Sequence, residues 1–160
     1  MLNLWQMSLT DVVFSHRDTD GTDRHFVITR LIERLKQGDD EIVEAPMDYA
    51  FALHVQHHFG IEQHRLARIT PQVLDDNPMI YAHFTPKSPQ GRAVPIGGVD
   101  AILIDGAHRY LKAAMLGRQT IKAFLVPESL WTEYLLDVPP ELNEACMADV
   151  IAGTAESYIP

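Results

Sequence analysis

A chain of 160 residues, 46% of them hydrophobic, has the length of one ordinary domain and enough apolar material to bury a core, which separates it from disordered chains. No apolar run approaches the roughly 20 residues of a bilayer-spanning helix. MLNLWQMSLTDVV lacks the basic region and cleavage site of a signal peptide, and a single cysteine, Cys146, excludes an internal disulfide, so the expected setting is cytoplasmic. With 13 Lys and Arg against 22 Asp and Glu, the net charge of -9 gives a field that repels nucleic acid and weighs against a DNA-binding role.

In chain order, the first 20 residues are weakly patterned, and FSHRDTDGTDRH reads as a polar turn containing Gly21. A helix is predicted from Thr22 or Asp23, both good N-caps. Val27, Ile28, Leu31, Ile32 and Leu35 fall at helical spacing, and Gly38 suits the position just past the end. GDDEIVEA reads as a loop with a short extended piece. Pro46 suits the first turn of a second helix, Met47 to Phe59, closed by Gly60. HRLARITPQVL reads as extended, NPMIYAHF as a strand beginning after Pro78, and TPKSPQGRAVPIGG as a Pro/Gly-rich loop.

The pattern is clearest further on. Val99 to Ile104 is a buried strand. Ala107 to Leu116 is a helix with Ala107, Tyr110, Leu111, Ala114 and Met115 on one side, and Gly117 ends it. Thr120 to Val126 is a second strand, with Ile121, Ala123 and Leu125 on one face, and Pro127 stops the strand–helix–strand unit. ESLWTEYLLD and PPELNEACMADVIAG read as short helices, and TAESYIP as a frayed end.

The chemistry-bearing stretch is IDGAHR, Ile104 to Arg109. On a helical wheel centred on Ala107, Arg109 falls almost opposite the apolar stripe and His108 at its edge, so neither side chain is needed by the core. Both sit in the first turn, where free N–H groups and the helix dipole attract phosphate or carboxylate. Gly106, Ala107 and His108 can offer backbone N–H groups, and Arg109 can grip phosphate oxygens with both guanidinium nitrogens. His108 can donate a hydrogen bond or shuttle a proton. Asp105, ending the strand, can hold a metal ion or act as a base, and Gly106 lets a ligand approach the backbone. The plainer alternative is a helix capped by Asp105, with His108 and Arg109 solvated.

AILIDGAHRYLKAAMLGRQTIKAFLV, Ala101 to Val126, resembles the signature of the ParB/sulfiredoxin-like superfamily: an apolar strand, Asp-Gly-x-His-Arg, an Ala-rich helix, Gly, and a strand. A weaker match reaches back to NPMIYAHF, and the first 75 residues carry no comparable signature. Ala107 stands where a sulfiredoxin has its cysteine, which argues against that chemistry. About 34 residues follow Val126, too few for the helix-turn-helix of a complete partition protein. The closest branch is the free-serine-kinase or ParB N-domain type. That resemblance implies a nucleotide (ATP, ADP or CTP) on the helix N-terminus, Mg²⁺, and an acidic base from the N-terminal part. Asp39, Asp40, Glu41 and Glu44 are candidates for the base by composition alone; otherwise they form a solvated acidic loop.

The expected fold is a single α/β or α+β domain with a small mixed sheet and surrounding helices. Its motif core would span about 78–127, with a helical part over 1–75 and a helical tail over 128–160. The expected activity is phosphoryl transfer or phosphoester hydrolysis, with Asp105, His108 and Arg109 as catalytic candidates, Gly106 to Arg109 holding the nucleotide or phosphate, and Asp105 the metal. The rival is a non-catalytic scaffold that binds a partner protein; a ParB-like nuclease is disfavoured by charge, and no membrane association is expected. Among other features, His54 and His58 at i, i+4, with His57 and His64, can place two ligands on a helix face but more simply form an exposed helix surface. Lys87 or Arg92 would reach a distal phosphate if their loop closed as a lid, and Lys112 could supplement the site. Trp5 and Trp131 read as core or interface anchors, and Cys146 as a small buried hydrophobe.

Overall fold

The computed structural model describes residues 1–17, 21–83, 93–96 and 99–138. The chain runs β1 (Leu2–Asn3), β2 (Val13–Arg17), β3 (Asp23–Val27), α1 (Ile28–Gln37), β4 (Ile42–Pro46), α2 (Tyr49–His58), α3 (Gln63–Arg68), α4 (Pro71–Asp76), β5 (Met79–His83), β6 (Ala93–Ile96), β7 (Val99–Asp105), α5 (Ala107–Met115), β8 (Thr120–Val126), α6 (Glu128–Trp131) and β9 (Leu136–Asp137). It is an α/β fold around a five-stranded mixed sheet of order β4-β8-β5-β7-β6, in which β5 and β8 are parallel and the other pairs antiparallel. A hairpin of β2 and β3 and a short parallel pair of β1 and β9 stand beside it.

Alternation along the central strands gives the sheet two buried faces. Met79, Tyr81, Leu103, Ile121 and Ala123 face one core, closed by Phe51, Val55, Tyr110 and Leu111 from α2 and α5. Ile80, Ile102, Ile104 and Val126 face the other, closed by Leu31, Ile32 and Leu35 of α1 and by Phe26 and Trp131. Trp131 lies edge-on to Phe26, with ring centroids 5.5 Å apart, and its indole N–H donates to the His83 carbonyl at 2.9 Å. Among the described residues no helix is long and apolar enough to cross a membrane.

Several sequence expectations change. The first helix begins at Ile28, because Asp23–Val27 pairs with Val13–Arg17 as a hairpin and Gly21 takes φ +85° in its turn. Pro46 ends the edge strand β4 instead of starting a helix. There its missing N–H costs no ladder bond, and Asp48 caps α2 by accepting the Phe51 N–H at 3.1 Å. HRLARITPQVL is not extended: it holds α3 and the start of α4, the latter capped by the Thr70 hydroxyl on the Val73 N–H at 3.2 Å with Pro71 at its first position. The segment 1–75 is not helical alone, since it also holds β1 to β4, of which β4 completes the sheet, while α1 covers one face. Trp131 is 1% exposed, as a core anchor should be, but Trp5 is 83% exposed and belongs to no core. Within TPKSPQGRAVPIGG, residues 93–96 form β6; Lys87, Arg92, Cys146 and the expected helix and frayed end beyond 138 lie outside the described residues.

Candidate functional site

β7 delivers Asp105 to the end of the sheet, and Gly106 turns the chain into α5 with φ +107°. A Cβ on Gly106 would lie 2.7 Å from Met79 Sδ and 3.0 Å from Arg109 Nη2. The glycine is therefore demanded by the protein's own packing as well as by its left-handed backbone.

Arg109 overturns the wheel-based reading of an outward, anion-gripping side chain. It is 0% exposed. Its Nη2 donates to Asp105 Oδ2 at 2.7 Å, and its Nη1 donates to the carbonyls of Asn77 and Pro78. Burial pulls the guanidinium pKa down from its ordinary value, and the Asp105 carboxylate opposes the shift. Asp105 is itself 2% exposed. The pair is a buried ion pair at i, i+4, and it joins the end of β7 to the seam between α4 and β5.

His108 is also buried, at 1% exposure. Its Nε2 accepts the Glu62 N–H at 3.0 Å, which assigns the ring proton to Nδ1. Nδ1 is buried and makes no hydrogen bond. Desolvation, with the nearby Arg65 charge, lowers the imidazole pKa to about 4 against the pull of Glu62, so the ring is neutral at pH 7. A proton shuttle near neutrality is not supported by that environment. One residue on, the Tyr110 hydroxyl accepts the Asp48 N–H at 3.0 Å and donates to the Asp48 carbonyl at 3.3 Å, while its ring packs edge-on to Phe51.

The motif thus joins three helix ends. His108 holds the N-terminus of α3 through Glu62, Arg109 the C-terminus of α4, and Tyr110 the N-terminus of α2. Sequence reasoning singled out Asp105, His108 and Arg109 but gave them a solvent-facing task. It missed Tyr110 as a polar clamp, and with it Asp48, Glu62, Asn77 and Pro78 as partners. The i, i+4 spacing of Asp105 and Arg109 is itself an ion-pair signal that points inward as readily as outward.

The residues do not fit a Mg²⁺ site. The Asp105 carboxylate is engaged by Arg109, and among the described residues no group of three or more His, Cys, Asp or Glu is placed to hold a metal. His54 and His58 do meet on α2, ring centroids 4.5 Å apart, without such a group forming. His64 is exposed beside Glu62 at 3.9 Å, and Lys112 is half-buried. The proposed acidic bases lie on β4 or just before it. Asp40 pairs with Arg34 at 3.0 Å, Asp39 and Glu41 are exposed, and Glu44 sits on β4, three strands or about 14 Å across the sheet from β7. Comparison with protein-family models, with curated proteins and with solved structures finds no match to this chain.

Proposed function

We propose that the chain is a non-catalytic binding module built on a ParB/sulfiredoxin-like scaffold, in which the Asp-Gly-Ala-His-Arg motif holds the fold together and a protein is the partner. The observation that carries this reading is Arg109: at zero exposure its two terminal nitrogens are engaged by Asp105 and by the Asn77 and Pro78 carbonyls, while its Nε is buried without a partner. A phosphate could take the place of Asp105 on it only by breaking a buried ion pair. The order strand, Gly, helix, strand from β7 to β8 is the one the family resemblance implies. Apolar side chains left in solvent on the helical layer, Leu53 at 59% and Met115 at 62% exposure, suit a protein partner.

A second reading, phosphoryl transfer or phosphoester hydrolysis with ATP, ADP or CTP, is favoured by one observation. His108 Nδ1 and Arg109 Nε are buried donors with no acceptor, groups that a ligand oxygen would satisfy.

A thermal-shift series with ATP, ADP, CTP and inorganic phosphate, each with and without MgCl₂, separates the two. Saturation at 100 times Kd stabilises a protein by about 2.7 kcal/mol, or roughly 5–10 °C in Tm for a chain of this size. The binding-module reading expects no shift of that size. A nucleotide-specific shift that His108→Gln abolishes would overturn it in favour of the enzyme.

A further inference from the structure

β4 is an outer strand of the five-stranded sheet, paired with β8 on one side only. Its ladder shows which backbone groups are left over. The register runs from Ile42 opposite Phe124 to Pro46 opposite Thr120, so Met47 stands opposite Gln119. The Met47 N–H donates to the Gln119 carbonyl at 2.9 Å, which makes that pair a hydrogen-bonded one. Such pairs alternate along an antiparallel ladder, so Val43 and Ala45 also bond to β8, while Ile42, Glu44 and Pro46 turn their polar groups away from it. The N–H and C=O groups of Ile42 and Glu44 therefore point outward, and among the described residues they find no partner. Pro46 fits this parity, since the donor it lacks would have faced the open side.

The side chains of this edge decide what it accepts. Val43 and Ala45 pack into the core closed by α2 and α5, so Ile42 and Glu44 lie on the opposite face, the one that α1 covers. Ile42 is 50% exposed and lines, with Ile32, Leu35, Ile80 and Phe124, a cleft of about 330 Å³. An apolar residue set beside Ile42 by an added strand would lie at the mouth of that cleft. Residues 38–46 also carry four carboxylates and no cation. Asp40 is held by Arg34 at 3.0 Å, and Glu44 stands opposite Lys122 on β8. Asp39 and Glu41 are exposed and form no ion pair among the described residues. With Asp75 and Asp76 of the cleft counted in, six carboxylates face four cations: Arg34, Lys36, Lys122 and the Arg118 that binds Asp75. The excess is negative, and it is greatest at the start of β4. A second copy is a poor occupant. Any antiparallel pairing of two β4 strands through Ile42 and Glu44 puts Glu44 opposite or diagonal to a carboxylate of the other copy, and like charges so placed repel. An edge blunted by carboxylates excludes its own kind and still admits a basic strand.

We propose that β4 is the docking edge for an extended basic segment of a partner protein, which adds to the sheet as an antiparallel strand. Its backbone pairs with the outward groups of Ile42 and Glu44, an apolar residue sits beside Ile42, and Lys or Arg sits beside Glu41 and Glu44. The proposal rests on the binding-module reading and deepens it by naming the form and charge of the partner.

The test titrates the full chain, labelled with nitrogen-15, with the capped peptide Lys-Lys-Thr-Ile-Lys-Lys, followed by amide NMR and hydrogen exchange. Two control peptides carry Glu in place of every Lys, or the parent sequence N-methylated throughout. The expected result is saturable shifts centred on residues 41–46, with exchange of the Ile42 and Glu44 amides slowed about tenfold or more at saturation. The Val43 and Ala45 amides, already bonded to β8, should change least, an alternation that a purely electrostatic contact does not produce. The Glu peptide should bind about fivefold or more weakly, and the N-methylated peptide should slow neither amide. Glu41→Gln/Glu44→Gln alters only exposed side chains, so it should fold, and it should weaken the Lys peptide about threefold or more. Shifts centred elsewhere, equal binding of either control, an unaltered affinity in the glutamine variant, or Ile42 and Glu44 amides already protected in the free chain by a dimer would each overturn the edge site. A nucleotide-specific thermal shift that His108→Gln abolishes overturns the binding-module reading itself, whereas failure of the peptide without such a shift overturns the edge site alone.

Discussion

If the Asp105–Arg109 pair holds the fold together, removing both partners should cost less than the sum of removing each alone. Asp105→Ala leaves a guanidinium at zero exposure without its counter-charge, and Arg109→Met leaves a carboxylate at 2% exposure along with two backbone carbonyls deprived of a donor. Breaking a buried pair in this way costs about 3–5 kcal/mol. Against a total stability of about 5–15 kcal/mol, that is a large share, and it corresponds to a fall in Tm of roughly 10 °C or more. The double variant Asp105→Ala/Arg109→Met buries no lone charge, so its cost should fall below the sum of the singles by about 2–3 kcal/mol. Some loss remains, because the Asn77 and Pro78 carbonyls stay without their donor. Urea unfolding followed by circular dichroism measures all four corners of the cycle. Residues kept for ligand binding behave differently: their removal is commonly neutral or stabilising. Strict additivity, or an Arg109→Met chain more stable than the parent, would refute the structural role and return Arg109 to the ligand.

Three further outcomes follow from the same hub. For His108, the native pKa of about 4 lies below the ordinary 6.5, so the unfolded chain takes up the proton first. Stability from this residue is complete above about pH 6.5 and is lost as the pH falls toward 4, by about 3 kcal/mol at most; urea midpoints at pH 7.5 and 4.5 should therefore converge between the parent and His108→Gln, and an unchanged difference would contradict the burial. Tyr110→Phe strips both Asp48 backbone groups of their partner and should cost about 1–2 kcal/mol in the same assay. Gly106→Ala forces a side chain into φ +107° against Met79 and should lower stability by about 2 kcal/mol or more; a thermal melt within a degree of the parent would show the turn to be permissive.

The elements read correctly from sequence are those whose burial is apolar and whose ends are marked by a residue with restricted or unusual backbone freedom. β5, β7, α5 and β8 are bounded by Pro78, Gly106, Gly117 and Pro127, and their Ile, Leu, Val and Ala alternate or recur with the right period. The missed elements bury something else. The hairpin of β2 and β3 hides Ser15 and His25, which satisfy each other across the strands at 2.6 Å, so hydropathy sees a polar loop where a buried pair exists. α3 and α4 have six residues each and one buried leucine apiece, Leu66 and Leu74, too short to establish a period. Their caps carried the information instead: Thr70 before Pro71 marks a helix start, and it lay inside a segment read as extended.

The site was misread for a related reason. A helical wheel assumes that a helix has one buried side and that polar residues lie on the other. α5 breaks that assumption because it packs against α2, α3 and α4 besides lying on the sheet, so its first turn is enclosed all round and residues 107 to 110 are all buried. In such a place polarity is no guide to exposure. What burial requires is that each polar group be matched, and Arg109, with a carboxylate four residues earlier in the chain, carries much of its match with it. The same enclosure explains why the motif spans so many side-chain types. His108 accepts from a backbone N–H, Arg109 donates to a carboxylate and to backbone carbonyls, and Tyr110 does both, because the helix ends around α5 present donors on one side and acceptors on the other. A motif that looks assembled to bind an anion is, on this chemistry, equally suited to binding its own protein's helix termini, and the double-variant cycle distinguishes the two uses because only the second makes the fold depend on charge balance.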